Sequence, residues 1–359
     1  MFDFLDAWLS TGGFWVAVPL IIVGCVALIK GADFLVDGAS GLAKKYGVSD
    51  IVIGLTVVAF GTSMPEFVVN MVAVGQGSTE IAITNVLGSN IINTFVILGC
   101  TALIFPISSQ KTTRRFDIPF SILAALLVLL FAVYNSPSWL QIEHLFNMNI
   151  TQPSINDLGS LNLGQGKAGF ISGVGGCILL IFFLIFLWHN FKGIGSAPQT
   201  ESNEGYKPMS AKRALALILG GLVGLVVGGE LIVKSATSIA HSLGVSDAII
   251  GLTVVALGTS LPELATSCMA AFKKNCDIAL GNVIGSNIFN IFFILGTSAC
   301  VKALPGYHGL EIDALMAALG SVLVMLFVYL TKKHEIKRWH GAILLLTYAA
   351  YLTYRIITL

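Results

Sequence analysis

The sequence has very few charged residues for its length. Of 359 residues, 11% are Asp, Glu, Lys or Arg, while 55% are hydrophobic and the mean hydropathy is +0.87. A soluble globular domain carries about 25% charged residues, so this composition excludes an ordinary water-exposed fold. The formal net charge is only +1, and we expect no nucleic-acid partner.

Several motifs that define other functions are also absent. The chain contains no GxxxxGK[ST] loop for nucleotide hydrolysis, no nucleophilic triad, no zinc motif and no TVGYG-type selectivity filter. The first ten residues, MFDFLDAWLS, include no basic residue and do not resemble a cleaved signal peptide. We therefore expect neither an enzyme nor a bound cofactor, and we expect an ion gradient to supply the energy for transport.

Apolar runs occupy most of the chain. A bilayer-spanning helix needs roughly 17–25 predominantly apolar residues, and about ten suitable runs predict an all-α polytopic membrane protein. The runs are 14–43, 48–74, 79–105, 116–135, 168–190, 211–241, 247–272, 276–302, 311–331 and 339–356. One alternate set of loops holds fifteen Lys and Arg residues, and the other set, with the termini, holds three. Because cytoplasmic loops carry the excess of Lys and Arg, we predict a protein of the cell membrane (inner or plasma membrane) with both termini on its outer side.

The chain contains an internal repeat. Residues 47–99 and 244–296 align without a gap at an offset of 197, with 30 of 53 positions identical. We therefore predict two halves of about five spans each, 1–190 and 211–359, joined by a polar cytoplasmic linker over 191–210. An odd number of crossings inverts the second half relative to the first, and inverted repeats are typical of secondary transporters.

A carboxylate recurs in the middle of an apolar span in both copies. The hexapeptides GTSMPE and GTSLPE end in Glu66 and Glu263, respectively. An ionisable residue at membrane depth is expensive and marks a functional site by default. The proline before each glutamate has no amide N–H, so we predict that the second and seventh transmembrane helices are broken there.

Oxygen donors accompany both glutamates. A helix break frees backbone carbonyls around Ala59–Thr62 and Ala256–Thr259, and the following spans carry GSNIIN and GSNIFN. In each of those motifs a serine and an asparagine four residues apart share one helix face. Asn90 and Asn287 point elsewhere, and we interpret them as structural. Carboxylate, carbonyl and hydroxyl oxygens together favour hard cations such as Ca²⁺ or Na⁺ over soft metals.

At these motifs the sequence resembles the sodium/calcium exchangers of the calcium/cation antiporter superfamily. The two hexapeptides and the two GSN segments look like the α-repeats of that family, and the similarity covers the whole chain. The short central linker, without the calcium-sensing domains of animal exchangers, is similar to prokaryotic members. The resemblance implies ten helices, with ions bound at the midplane between spans 2, 3, 7 and 8. It also implies exchange of typically three Na⁺ for one Ca²⁺, driven by sliding of the first and sixth helices.

The resemblance implies a set of ion ligands as well. Glu66 and Glu263 match the two acidic residues that coordinate Ca²⁺ and share in the Na⁺ sites. The other matching donors are Thr62, Ser63, Ala59, Ser89 and Asn93 from one half and Thr259, Ser260, Ala256, Ser286 and Asn290 from the other. Several family members have Asp at the position of Asn290, and in potassium-dependent exchangers that Asp is linked to K⁺. We therefore infer K⁺-independent, electrogenic exchange by alternating access.

Other functions are compatible with the same residues. The glutamates could carry protons in an H⁺-coupled antiporter of Ca²⁺ or another divalent cation, although GTSMPE differs from the GNxxE pattern of the calcium/proton branch. Two glutamates could line a cation channel, but inverted repeats suit alternating access better. A structural or sensor membrane protein that binds Ca²⁺ without transport is a third alternative. We expect Na⁺, Ca²⁺ and the lipid bilayer as partners, and no required oligomer.

Overall fold

The computed structural model describes residues 3–134, 170–192, 209–244, 256–307 and 309–358. Most of the predicted linker, 193–208, and the first part of the predicted seventh span, 247–255, lie outside the described residues. The division of the chain into two halves with a cytoplasmic linker therefore stays a prediction.

The described chain is mostly helical. Its helical segments, numbered in chain order, are α1 (Asp3–Tyr46), α2 (Asp50–Thr62), α3 (Met64–Gly75), α4 (Thr79–Ile104), α5 (Ile118–Tyr134), α6 (Gly173–Lys192), α7 (Ala211–Ser242), α8 (Ala256–Thr259), α9 (Leu261–Phe272), α10 (Cys276–Val301), α11 (Leu310–Leu330) and α12 (Arg338–Thr358). Among the described residues, seven helices are long and apolar enough to cross a membrane, or eight when α2 and α3 count as one bent span.

The outer surface of the bundle is apolar. On α1, for example, Ile22, Val26 and Ile29 are each more than half exposed. A helix that is hydrophobic on every face belongs in a membrane or in the core of a large protein. Inside a bilayer the backbone must satisfy its own hydrogen bonds, which an α-helix does within one segment. The sequence therefore forms helices whose outward faces suit lipid.

Two short antiparallel ribbons connect distant loops. The strand β1 (Ile107–Ser108) pairs with β4 (Glu335–Ile336), and β2 (Phe170–Ile171) pairs with β3 (Leu304–Pro305). Each ribbon joins a loop from the first part of the chain to a loop from the last part. The first ribbon ties the end of α4 to the start of α12, and the second ties the start of α6 to the end of α10.

The helices α1 and α7 pack with their backbones in direct contact. Small residues recur every seven positions on both helices, at Gly24, Gly31 and Gly38 on α1 and at Ala214, Gly221 and Gly228 on α7. A Cβ added at Gly31 would lie 2.8 Å from the Gly221 carbonyl oxygen. Only glycine permits such an approach, and small residues of this kind are the usual interface between membrane helices. We call this contact the glycine seam.

The pair formed by α1 and α7 has its own hydrophobic core. One cluster gathers buried side chains of α1 and α7, such as Leu35 and Leu225, with a few from α2, α9 and α10. A much larger cluster joins α4, α5, α6, α10, α11 and α12 around residues such as Phe95 and Phe292. The α1–α7 pair is thus attached to the rest of the bundle through a small, separate core.

A charged contact fastens α1 to the turn after α9. The Lys273 ammonium lies 2.6 Å from the carboxylates of both Asp33 and Asp37. This contact joins residues that are far apart in the chain. On α7, Glu230 and Lys234 form a local i, i+4 pair at 4.0 Å.

The carboxylate of Asp50 joins two distant helices. The N-cap position of α2 is Ser49, and Asp50 is the first helical residue. The Asp50 carboxylate accepts a hydrogen bond of 2.8 Å from Asn275, the N-cap residue of α10. This contact was not predictable from local sequence because it joins residues 225 positions apart. Asp247, which matches Asp50 in the second copy of the repeat, lies outside the described residues.

Candidate cation site

The two repeated glutamates lie fully inside the protein. Glu66 and Glu263 have no exposed surface and stand in the first turns of α3 and α9. The residues before those helices leave helical geometry, with φ −85° and ψ 5° at Ser63 and φ −90° and ψ 5° at Ser260. α2 and α3 meet at a bend of 45°. The predicted breaks are confirmed, and each one places a carboxylate at a helix N-terminus, which favours negative charge.

Each hexapeptide bonds to the glutamate of the other. The Ser63 hydroxyl donates to Oε1 of Glu263 at 2.8 Å, and the Ser260 hydroxyl donates to Oε1 of Glu66 at 3.5 Å. From the following helix, Ser286 donates to Oε1 of Glu263 at 3.5 Å. The two copies of the motif, far apart in the chain, therefore form one polar centre within the apolar bundle.

Several oxygen atoms in this centre are buried without a hydrogen-bond partner among the described residues. They are Oε2 of Glu66, Oε2 of Glu263, Oδ1 of Asn93, Oδ1 of Asn290 and Oγ1 of Thr259. An unsatisfied buried polar atom costs about 1–3 kcal/mol, and more when it is charged. Such atoms are rare in native proteins unless they serve an ion, a water or a reaction. The unpartnered oxygens of the two glutamates, together with those of the predicted amide and hydroxyl ligands, are the strongest sign of a ligand site in the described chain.

A chain of amides orients Asn290. Its Nδ2 donates to Oδ1 of Asn90 at 3.0 Å, and Nδ2 of Asn90 donates to the Asn287 carbonyl oxygen at 3.0 Å. Nδ2 of Asn287 then donates to Oγ1 of Thr94 at 2.8 Å. The nitrogen of Asn290 is therefore engaged, and its oxygen remains as an acceptor. The structural interpretation of Asn90 and Asn287 is confirmed.

The helix α10 approaches α2 closely beside the centre. A Cβ added at Gly285 would lie 2.6 Å from the Leu55 carbonyl oxygen and 2.7 Å from Cβ of Ala59. The residue that matches Leu55 at the repeat offset lies outside the described residues, so the same contact is not described for Gly88. The close approach brings Ser286 of α10 next to the first hexapeptide.

Wider π-helical turns interrupt three of the helices that carry predicted site residues. They cover Gly54–Val58 in α2, Ile92–Ile97 in α4 and Phe289–Leu295 in α10. Asn93 and Asn290 lie inside the latter two. Such turns are rare and often mark functional sites. Nothing in the apolar sequence around them predicted these turns.

The remaining predicted donors lie on the same helices. Those that are buried are Ala59, Thr62, Ser63, Ser89, Ser260 and Ser286. Ser89 of α4 lies close enough to Glu66 for its hydroxyl to act on that carboxylate, which mirrors Ser286 and Glu263. Ala256 begins α8, at the position that matches Ala59 in the repeat.

Sequence reasoning missed Asn282. This fully buried residue of α10 accepts the Thr62 hydroxyl at 3.1 Å and donates to Oγ of Ser267 at 2.9 Å. A signal was available, because Asn85 and Asn282 are identical residues at the repeat offset of 197. An asparagine retained in both apolar copies could have been added to the candidate site.

The described residues contain no group of three or more His, Cys, Asp or Glu side chains placed to hold a metal. Two carboxylates with amide, hydroxyl and carbonyl oxygens form a different kind of site. Ca²⁺ takes six to eight oxygen ligands of such mixed origin, and soft donors are missing from this centre. The chemistry of the donors therefore fits a hard cation.

Comparison with known proteins gives a consistent result. The family model described as sodium/calcium exchanger protein matches residues 16–192 and 213–357. An antiporter named CaxA from Alkalimonas amylolytica is 36% identical over 342 residues, which is 94% of this chain and 97% of the relative. The sodium/calcium exchanger MaX1 of Methanosarcina acetivorans is 34% identical over 351 residues, 93% of this chain and 96% of its own length.

A solved structure shares the fold over nearly the whole chain. It is the sodium-calcium exchanger NCX_Mj soaked with Na⁺ and Sr²⁺, with a TM-score of 0.75 and 30% sequence identity. The match covers 95% of this chain and 99% of that chain.

Proposed function

The chain belongs to the sodium/calcium exchanger protein family, and from this premise we propose that it exchanges Na⁺ for Ca²⁺ across the cell membrane by alternating access. It is an integral membrane protein of the cation antiporter type. The observation that carries the proposal is the pair of fully buried glutamates, each with one unpartnered carboxylate oxygen. The centre is complete within one chain, so the proposal requires no oligomer.

The proposed ion ligands come from both copies of the repeat. Glu66 and Glu263 supply about two negative charges, which neutralise one Ca²⁺. The proposed remaining ligands are the carbonyls of Ala59 and Ala256 and side-chain oxygens of Thr62, Ser63, Ser89, Asn93, Thr259, Ser260, Ser286 and Asn290. The unpartnered oxygens of Asn93, Thr259 and Asn290 support this set, as do the long bonds of Ser260 and Ser286 to the glutamates.

Coupling follows from competition for shared oxygens. The two glutamates can hold either one Ca²⁺ or several Na⁺, so one ion must leave before the other binds. If three Na⁺ exchange for one Ca²⁺, each cycle moves one net positive charge with Na⁺. One charge across 100 mV is worth about 2.3 kcal/mol, so an inside-negative potential favours Ca²⁺ export.

The proposed architecture has ten spans in two inverted repeats of five. The second and seventh spans are broken at Ser63 and Ser260, which gives each repeat one discontinuous helix at the site. The charge of the loops supports termini outside the cell and a cytoplasmic linker over 191–210. In transporters of this type, ions bind near the midplane where the repeats meet.

The first test is uptake of ⁴⁵Ca²⁺ into liposomes driven by an outward Na⁺ gradient, with a pH gradient run in parallel. Glu66→Gln and Glu263→Gln should each abolish uptake, because removing one charge from a buried set costs about 3–5 kcal/mol. Glu80→Gln is the matched control, since Glu80 is exposed in the first turn of α4. Retained Ca²⁺ transport in either buried variant would contradict the proposal.

The parallel pH gradient separates the two antiport mechanisms. Uptake with the Na⁺ gradient alone supports Na⁺ coupling. Uptake only with the pH gradient would assign the glutamates to proton transfer instead. Binding of Ca²⁺ without uptake under either gradient would indicate a sensor rather than a transporter.

We also propose that transport is independent of K⁺. Asn290 presents a neutral amide oxygen to the centre, because its nitrogen is bonded to Asn90. Asn290→Asp would add a third carboxylate and should make Ca²⁺ uptake respond to K⁺. The measurement is uptake with and without K⁺ in the wild-type protein and the variant. K⁺ stimulation of the wild-type protein would overturn the proposal.

A further inference from the structure

The hydroxyl hydrogen of Thr62 has three acceptors within reach, one of which is the Glu263 carboxylate. Oδ1 of Asn282 lies 3.1 Å from the Thr62 hydroxyl oxygen, and the Ala59 carbonyl oxygen lies 3.3 Å away. A hydroxyl has one hydrogen and two acceptor lone pairs. If the hydrogen points to Asn282, the lone pairs of Thr62 Oγ1 stay available to a cation, as does the Ala59 carbonyl lone pair that the Ser63 amide does not use. If it points to Ala59, that carbonyl is partly occupied.

Asn282 is held firmly in the orientation that accepts this hydrogen. Its Nδ2 donates to Oγ of Ser267 at 2.9 Å and to the Glu263 carbonyl oxygen at 3.3 Å. The residue is fully buried, and nearby Gly281 packs α10 against α2, since an added Cβ would lie 3.0 Å from the Ile51 carbonyl oxygen. The amide therefore cannot easily rotate or withdraw from Thr62.

The matching asparagine of the first copy is placed differently. Nδ2 of Asn85 donates to Oδ1 of Asn70 at 2.7 Å, and Nδ2 of Asn70 donates to the Ala82 carbonyl oxygen at 3.0 Å. These contacts stay within one copy of the repeat. The hydroxyl oxygen of Thr259, the counterpart of Thr62, has no partner among the described residues. The two copies thus supply chemically identical threonines in unequal settings.

We propose that Asn282 is a positioning residue for the ion site: it takes the Thr62 hydroxyl hydrogen and so keeps Thr62 Oγ1 and the Ala59 carbonyl available to the bound cation. Asn85 has no such role for Thr259. This inference rests on the proposed function, because it assumes that the centre binds Ca²⁺. It goes further in naming a residue outside the ligand set that prepares one side of the site.

The test is a double-mutant cycle measured by equilibrium ⁴⁵Ca²⁺ binding to the purified full-length protein. Asn282→Ala should weaken binding about tenfold, the effect of losing one well-placed hydrogen bond to a site with charge. In a Thr62→Ala background the hydroxyl is absent, so Asn282 has no hydroxyl hydrogen to accept. There Asn282→Ala should change binding by less than about twofold, which is the usual error of additivity.

The control cycle uses the matching pair in the other copy. Asn85→Ala should change Ca²⁺ binding by less than about twofold in either the wild-type or the Thr259→Ala background. Asn282→Leu, which keeps the volume but removes the acceptor, replaces the alanine variant if that variant does not fold. Asn282 substitutions should raise the Ca²⁺ concentration for half-maximal uptake while leaving the maximal rate nearly unchanged.

The outcomes separate this inference from the proposed function. Loss of binding that depends on the presence of the Thr62 hydroxyl supports it. The same loss in both Thr62 backgrounds would assign Asn282 a purely structural role and overturn it, as would no loss in either. A wild-type protein that binds no Ca²⁺ would refute the proposed function itself, before any variant is compared.

Discussion

Replacing Gly221 by alanine is expected to loosen the glycine seam between α1 and α7. A Cβ at this position would lie 2.7 Å from both the Gly31 carbonyl oxygen and the Leu35 amide nitrogen. Both atoms belong to the backbone of α1, so no side-chain rotation can relieve the overlap. The helices would have to separate by about 0.7 Å to restore ordinary contact, and gaps of this size forfeit a substantial part of the dispersion energy.

Two opposing effects set the size of the change. Overpacking a close contact typically costs about 1–3 kcal/mol, while alanine gains up to about 1 kcal/mol over glycine in a helix interior. We expect a net loss of about 1–2 kcal/mol for Gly221→Ala. The adjacent Gly220→Ala is the matched control, because Gly220 is exposed and a Cβ there meets no atom of the described residues within 4 Å. Only the gain in helix propensity remains at that position.

The assay is thermal unfolding of both variants in the same detergent, combined with Na⁺-driven Ca²⁺ uptake in liposomes. Gly221→Ala should lower the unfolding midpoint and slow uptake, whereas Gly220→Ala should keep or raise the midpoint. Equal midpoints for the two variants would refute the reasoning, because the seam would then tolerate a methyl group as easily as the lipid-facing side does.

Two further predictions concern other parts of the bundle. Gly285→Ala would press a Cβ against the Leu55 carbonyl oxygen, so it should weaken ⁴⁵Ca²⁺ binding, whereas Gly220→Ala, at an exposed position, should bind normally; equal binding would contradict the close approach. Burial, together with the neighbouring Asp313 carboxylate, raises the pKa of Tyr307 well above its ordinary value near 10. Because the pKa of Tyr307 is higher in the folded than in the unfolded protein, the neutral hydroxyl stabilises the fold fully below about pH 10, and this stabilisation is lost as the pH rises further. The midpoint temperature of thermal unfolding should therefore fall more steeply between about pH 9 and pH 11 for the wild-type protein than for Tyr307→Phe. Parallel curves of midpoint against pH would argue against this contribution.

The parts of the site that were predictable depend on local chemistry. A proline without an amide hydrogen must interrupt a helix, and the bends at Ser63 and Ser260 lie where Pro65 and Pro262 require them. An internal repeat also predicts that equivalent residues meet near a common axis. The reciprocal bonds from each serine to the other copy's glutamate agree with this expectation.

The parts that were missed depend on how helices pack. Asn282 reaches Thr62 only because α10 packs against α2 at a particular register. The sequence of neither helix alone predicts that register. The π-helical turns at Ile92–Ile97 and Phe289–Leu295 have the same apolar composition as their flanks. Likewise, Asp33 gave no sign that its partner would be Lys273, 240 positions away.

The contact of Lys273 with two aspartates has a consequence for the resting population of the protein. The repeat offset assigns to Lys273, Asp33 and Asp37 the mirror positions Gln76, Glu230 and Lys234. Gln76 carries no charge, and Glu230 and Lys234 lie 4.0 Å from each other, so the opposite end of the molecule cannot form the same cluster. Each partly exposed ion pair is worth up to about 1 kcal/mol, so a bias of about tenfold would separate the two mirror conformations. In the proposed alternating-access cycle, the protein would then favour the conformation that forms the Lys273 cluster until bound ions shift the balance.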